Sequence, residues 1–363
     1  MVLSYLQNFL SILVERGGSD LHLVANRIPR IRVDGQLVPL DAPPLSVENL
    51  GQLRNELLSG LLVDRSRGKQ PLGDFTVSLE GMGRFRCHAY SQGGMPAFAI
   101  RLIPLHIPSL KALGLPPVFG ELTKKRQGLV IVAGPAGSGK TTTLASFIDK
   151  LNDERRAHIL TFEQPIEFVH SDKKGFVSQC DIGGDVPDIS SALDGVSRED
   201  PDVVLVGEAG NRETIEAAIS LAESGIFVLL SMCTSSCLLG LQCLVQAFPA
   251  EQQALIRHRL ALVLEGMVAQ ALVPKVKAPG RVLALELLMP TPAIRGMIRE
   301  DKIRQIYSIM QTGQAKHGMQ TMNQALADLY RRRMISGTSA LVQSGTPDEL
   351  RQMIHRTDQR MRG

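Results

Sequence analysis

The chain has 363 residues, more than one domain usually holds, so two or three domains are expected. With 44% hydrophobic and 21% charged residues it has ample apolar material for packed cores, and the composition excludes a disordered chain. The 40 Lys and Arg against 36 Asp and Glu leave a net charge of only +4, spread along the sequence, and with Trp 0 and Tyr 4 a nucleic-acid translocase is excluded for want of a basic groove and stacking aromatics.

Residues 1–103 read as a small α+β domain. In MVLSYLQNFLSILV, Leu3, Leu6, Leu10 and Leu13 recur at helical spacing, while Ser4, Gln7, Asn8 and Ser11 interrupt the run and no basic region precedes it. That pattern favours an amphipathic helix packed on a core over a signal peptide. SDLHLVANRIPRIRVDGQLVPL alternates apolar and polar positions around a DG turn, as a hairpin does. A polar helical stretch follows near 46–63, and DFTVSLEGMGRFRCHAYSQGGMPAFAIRLIP supplies two or three further strands, giving a sheet with helices on one side. Residues 104–126 hold Pro104, Pro108, Pro116 and Pro117 and read as a linker and lead-in.

Residues 127–290 change to strand, loop and helix in alternation. GLVIVAG, HILTFEQ, DVVLVGE and IFVLLSMC are strands; TTTLASFIDKLNDER, ISSALDGVSRE, TIEAAISLAESG and, as one long helix, EQQALIRHRLALVLEGMVAQAL stand between or after them. Such alternation implies a mainly parallel sheet covered by helices. Residues 291–363 read as helical throughout. No apolar run reaches the roughly 18 residues that span a bilayer, so a cytoplasmic chain without direct membrane insertion is expected. The five cysteines, at 87, 180, 233, 237 and 243, form no CxxC pair and no zinc spacing, which suits reduced thiols. The basic runs at 124–126 and 331–333 read as solvated faces.

GPAGSGKT at 134–141 fits G-x-x-x-x-G-K-[ST] between an apolar strand and a helix, the context that confirms a phosphate loop. Gly134, Pro135, Ala136, Gly137, Ser138, Gly139, Lys140, Thr141 and Thr142 are therefore the expected cradle for ATP. Lys140 would reach the β- and γ-phosphates and Thr141 would ligate Mg2+. Glu163 and Glu167 in FEQPIE and Glu208 in DVVLVGE stand at or just beyond strand ends on the ligand-binding edge of such a sheet. They are the candidate carboxylates for orienting water and, for Glu163 and Glu208, for holding the metal.

The sequence resembles the PilT/PilU branch of the type II secretion and type IV pilus ATPases. SDLHL at 19–23, RVDG at 32–35 and RFRCHAY at 84–90 look like that family's N-terminal domain. GPAGSGKTTTLASFIDKLN, REDPDVVLVGE, TPAIRGMIRED, YSIMQTG and GMQTMNQAL look like its motor, in order, over roughly residues 1–345. The resemblance implies a RecA-like P-loop domain after a PAS-like α+β domain. It also implies a hexameric ring, homomeric or mixed with a related ATPase, with MgATP hydrolysis coupled to pilus retraction. The implied partner is the inner-membrane platform protein of the pilus machinery, which would hold the chain peripherally at the membrane. Arg84, Arg86 and Arg101 match N-domain arginines that the family uses as fingers; arginines on a strand are also commonly solvated edge charges.

Where this chain departs from the family pattern, the departures gather at one place. The Asp box, usually EDPIE, is EQPIE, so Gln164 replaces an aspartate. After Glu208, the match to the Walker B glutamate, the usual Met-Arg-Asp is Ala209, Gly210 and Asn211. Asp194 stands at an arginine position while Arg198 survives. The His box is SMCTSSC, with Cys233 in the histidine position. A thiol is shorter than an imidazole and a weak donor, and one lost donor to developing charge costs about 10²–10³ in rate. Slow hydrolysis is therefore expected, the alternative being a nucleotide-binding accessory or scaffold subunit without meaningful turnover.

Overall fold

Apolar and polar side chains alternate from Arg84 to Ala89 in GRFRCHAYSQ, and the strand it forms, β5 (Gly83–Gln92), buries Phe85, Cys87 and Ala89 while Arg84, Arg86 and His88 take the other face. The computed structural model describes residues 5–33, 35–58, 73–79, 82–103, 106–313 and 317–362. They form two units, of which the first comprises residues 1–107 with 163–169 and 180–187. Its sheet is antiparallel in the order β3-β2-β1-β6-β5-β4, from β1 (Asp20–Val24), β2 (Arg30–Val33), β3 (Gln36–Pro39), β4 (Gly73–Leu79), β5 and β6 (Met95–Ile103).

Gly35, at φ +87°, supplies the left-handed residue of the expected DG turn between β2 and β3. Helix α1 (Tyr5–Glu15) lays Leu6, Leu10 and Leu13 on the apolar face, and α2 (Val47–Leu58) adds Leu50 and Leu53; Leu21, Leu23, Ile31, Phe85 and Phe98 meet them. The N-terminal helix is thus amphipathic and packed on a core, as its leucine spacing predicts. Leu3, Pro104 and residues 59–63 of the expected helix lie outside the described residues.

The second unit comprises residues 108–162, 170–179 and 188–363. Its seven-stranded sheet has the order β13-β12-β7-β11-β10-β8-β9. The strands are β7 (Gly128–Ala133), β8 (His158–Glu163), β9 (Phe176–Asp181), β10 (Val203–Val206), β11 (Phe227–Met232), β12 (Leu264–Pro274) and β13 (Arg281–Leu288). β7, β10 and β11 are buried along their whole length, as central strands of a parallel sheet are. Pairing is parallel from β12 through β7, β11 and β10 to β8, and antiparallel between β12 and β13. Helices α3 (Val118–Leu122) and α4 (Lys140–Glu154) bury Phe119, Phe147, Ile148 and Leu151 against Val130, Val132, Leu205, Phe227 and Leu229. Leu110 and Leu115 of the proline-rich stretch join the same core.

The long helix expected over EQQALIRHRLALVLEGMVAQAL is corrected by the structure. Helix α8 (Ala250–Val263) stops, and the chain runs on as β12, paired with β7. Residues 264–273 are buried on both faces, so they lack the period-two alternation of a half-exposed strand and look like a continuation of the helix. β9 and β13 were likewise not foreseen. The end of α8 is capped from a distance: Arg295, in α9 (Pro292–Arg299), donates to the carbonyls of Ala261 (2.6 Å) and Leu262 (2.9 Å) and pairs with Glu265 at 2.9 Å. Those carbonyls have no partner within the helix, so the AIRGMIRED motif has a structural role.

Helices α5 (Ile189–Gly195), α6 (Arg212–Glu223) and α7 (Cys237–Gln246) complete the middle of the unit. Beyond α9 follow helices α10 (Ile306–Thr312), α11 (Met322–Arg331), α12 (Gly337–Gln343) and α13 (Pro347–Arg362). Leu326, Ala340 and Leu350 of these helices close over Ala271, Val273 and Ala284. Among the described residues no helix is long and apolar enough to cross a membrane.

Candidate active site

β7, β11 and β10 are consecutive parallel neighbours, so the segments that follow them leave from one edge of the sheet. The phosphate loop follows β7, Cys233 follows β11 directly, and Glu208 stands two residues past β10. Two backbone bonds stitch these ends together: the Gly134 N–H donates to the Met232 carbonyl at 3.1 Å, and the Ala209 N–H to the Ser231 carbonyl at 2.8 Å. The second unit therefore brings together residues 134–142, Glu208 and Cys233. Glu208 and Cys233 are both exposed.

Within the loop, Gly134, Gly137 and Gly139 have φ of +156°, +74° and +91°. A Cβ on Gly134 would lie 2.3 Å from Ser138 Oγ and 2.7 Å from the Gln270 carbonyl, so no other residue fits there. Gly139 is the left-handed N-cap of α4, and no side chain caps the first turn. The N–H groups of that turn form an anion site. Lys140 Nζ donates to the carbonyls of Gly134 (2.8 Å) and Pro135 (3.1 Å), which keeps the ammonium folded over the loop. Thr141 and Thr142 are half-buried in the first turn of α4, and Pro135, Ala136 and Gly137 are exposed.

Gln270 was missed by sequence reasoning. It lies on β12, 1% exposed, and donates Nε2 to the Ser138 carbonyl at 2.8 Å. Its own Oε1 and the Ser138 hydroxyl are buried and have no partner among the described residues. The signal was a lone amide inside the apolar run VAQALV, which only the strand assignment turns into a support beneath the loop.

The thiols differ. Cys237 is fully buried at the start of α7, and burial, followed by the neighbouring Glu286 carboxylate, pushes its thiol well above the ordinary range. It is a packing residue. None of the five cysteines, all among the described residues, is in a disulfide. Arg198 ends a short 3-10 turn and is exposed.

In the first unit, Glu163 is the last residue of β8, buried, and its carbonyl accepts the Ile182 N–H at 2.8 Å. Glu167 forms an ion pair with Arg86 at 3.3 Å. Arg101 stands opposite Arg86 in the β5–β6 ladder and pairs with Asp20 at 2.8 Å, while Arg84 lies two residues before Arg86 on the same face. His158 stacks on Phe176 and bonds to Ser178 and the Glu199 carbonyl. His170 is driven down to about 4 by burial, and burial also lowers His22.

The family described as type II/IV secretion system protein matches residues 1–347. The chain belongs to the type II/IV secretion ATPases. This secretion ATPase is 39% identical over 342 residues to the type IV pilus retractation ATPase PilT of Pseudomonas aeruginosa, covering 93% of this chain and 98% of that one. It is 34% identical over 351 residues to the type IV pilus ATPase PilU of the same organism, covering 96% and 91%. In structure it is similar to the pilus retraction motor PilT with bound ADP, with a TM-score of 0.82 and 39% identity over 96% of this chain and 99% of that one. It is also similar to the Legionella pneumophila ATPase DotB, with a TM-score of 0.78 and 25% identity over 93% and 94%. The expected fold, a mainly parallel P-loop sheet preceded by an α+β domain, therefore holds.

Proposed function

We propose that this secretion ATPase binds MgATP on the 134–142 loop, hydrolyses it slowly, and acts in a hexameric ring, homomeric or mixed, on the retraction of type IV pili. The observation that carries the reading is the complete loop, with its three left-handed glycines and uncapped helix start, beside strand ends that carry Glu208 and a thiol at Cys233. On binding, Lys140 would leave the carbonyls of Gly134 and Pro135 for the β- and γ-phosphates. Thr141 and Glu208 offer the hard oxygen atoms that suit the magnesium of MgATP, which keeps water and phosphate in its shell rather than needing a protein cage. Glu163 would orient water in line with the bond from the γ-phosphorus to the β-phosphate oxygen. That bond breaks as the new P–O bond forms, leaving ADP and inorganic phosphate.

Turnover is reduced in this reading because Cys233 offers a weak S–H donor where the family carries an imidazole, and Gln164 brings no negative charge. The same two residues favour a second reading, an accessory subunit that binds nucleotide, joins a ring with a more active ATPase and contacts the inner-membrane platform protein. Arg84, Arg86 and Arg101 would then serve a neighbouring subunit's site, and Arg198 the chain's own.

Steady-state hydrolysis by the parent, Lys140→Ala and Cys233→His at saturating MgATP separates the readings. Slow turnover that needs Lys140 and rises in Cys233→His supports the detuned motor. ATP binding with no turnover in any of the three leaves the accessory reading. Failure of the parent to bind ATP sinks both.

A further inference from the structure

Glu286 lies in β13 within the apolar run ALELL and is 3% exposed. A carboxylate in such a place needs donors, and its donors come from two helices. Its Oε1 accepts the Cys237 N–H at 2.8 Å, and the Met322 N–H helps to hold the same carboxylate in its ionised form. Cys237 is the first residue of α7 and Met322 the first of α11. Ser236 Oγ accepts from the Leu239 N–H and Thr321 Oγ1 from the Gln324 N–H. In both helices, then, the N-cap side chain takes the N–H of the third residue, while Glu286 accepts that of the first in α7 and is drawn down by that of the first in α11, donors that a helix start leaves without an internal partner. The positive ends of two helices converge on one carboxylate. Burial pushes the carboxyl up, and these donors only partly offset it.

The two helices follow different features. α7 follows the segment 233–236, which begins with Cys233, whereas α11 follows the GMQT stretch at 318–321. That stretch is docked on β13 on either side of Glu286. Leu287 and Gln320 exchange N–H···O bonds at 2.8 and 3.2 Å, and Gln320 Nε2 donates to the Leu285 carbonyl at 2.9 Å.

We infer that Glu286 is a positioning residue that holds the first turn of α7, and with it segment 233–236, in register with the first turn of α11. This rests on the function proposed above, with the segment that begins at Cys233 taken to face the terminal phosphate. Under it, recognition of the third phosphate depends on Glu286, while ADP recognition by the phosphate loop does not. The C-terminal helices and the phosphate-facing segment then share one anchor, so a displacement of either is felt by the other.

The test compares the affinity of the full chain for ADP and for ATPγS, both with magnesium, in the parent, Glu286→Met, Glu286→Gln and Lys140→Ala. Glu286→Met keeps the volume and removes the acceptor. It is expected to lose about tenfold in ATPγS affinity, the size of one charge-assisted hydrogen bond, with ADP affinity held within about twofold. Glu286→Gln keeps an acceptor and is expected to stay near the parent for both. An unchanged ATPγS-to-ADP ratio in Glu286→Met, or equal damage in Glu286→Gln, overturns the inference. If Glu286→Met fails to fold, Glu286→Asp draws the carboxylate back by one methylene and is judged by the same ratio. Failure of the site reading shows separately, as no nucleotide binding by the parent or binding that ignores Lys140→Ala. In that case hydrogen exchange decides: protection lost together in the first turns of α7 and α11 supports the shared anchor, and loss in one alone refutes it.

Discussion

Gln270 donates its side-chain amide to the carbonyl of Ser138, 132 residues away in sequence, at 2.8 Å. The bond joins β12 to the phosphate loop, and both partners are buried. Replacing Gln270 by Ala leaves the Ser138 carbonyl without its donor and opens a cavity under the loop. A loss of about 2–4 kcal/mol is expected, the sum of an unmet buried acceptor and a large-to-small change. Denaturant unfolding of Gln270→Ala checks it, and MgATP affinity is expected to fall as well, because the loop loses its support. Full stability with full affinity would show that the amide supports nothing.

Gly134 and Gly137 separate close packing from backbone freedom. Gly134→Ala forces its Cβ to 2.3 Å from Ser138 Oγ and 2.7 Å from a backbone carbonyl, whereas Gly137 has nothing within 4 Å of that position. Gly137→Ala therefore carries only the cost of a left-handed alanine, about 1 kcal/mol. Nucleotide titration is expected to show binding abolished in Gly134→Ala and kept, within about tenfold, in Gly137→Ala.

Arg86 and Glu167 form a half-buried ion pair at 3.3 Å inside the first unit. A double-mutant cycle with Arg86→Ala and Glu167→Ala is expected to give a coupling of about 0.5–1.5 kcal/mol, toward the upper range for pairs not fully in solvent. The coupling should shrink in 1 M salt. Additive single changes would mean that the pair contributes only geometry.

Glu349 gathers the C-terminal helices. Its carboxylate accepts from Tyr307 (2.6 Å), Gln311 (2.6 Å), Asn323 (2.8 Å) and Thr346 (2.9 Å). Burial pushes its carboxyl up, and these four donors more than offset that, leaving it below its ordinary value. A depressed carboxyl stabilises the fold above its unfolded pKa, and that contribution is lost as pH falls through the folded value, so the window opens below about 4.5. Tyr307, pushed up to about 12 by burial and then by Glu349, has the opposite sign: its contribution is present below about 10 and lost as pH rises through 12. Tyr307→Phe is expected to cost about 1 kcal/mol at pH 7 and progressively less as pH falls through the depressed folded value of Glu349. Unfolding midpoints at several pH values check it, and a pH-independent difference would rule the pairing out.

What the sequence determined by itself was local. The leucine spacing of α1, the alternation of β5, the continuous apolar strands β7, β10 and β11 and the glycine pattern of 134–141 each carry their structure in neighbouring residues, because helix and strand periods and left-handed backbone are written at short range. The motifs also placed Lys140, Glu208 and Cys233, since the residues after parallel strands share one sheet edge. What only the tertiary structure decided lies in partnerships across long sequence separation. Residues 264–273 became a strand because β7 offered an edge to pair with, which no periodicity in a doubly buried run could reveal. Gln270 and Glu286 looked like stray polar residues in apolar stretches until folding set one beneath the Ser138 carbonyl and the other between the first turns of two helices. A buried polar group is explained only by the donor or acceptor that meets it, and those partners are chosen by the fold.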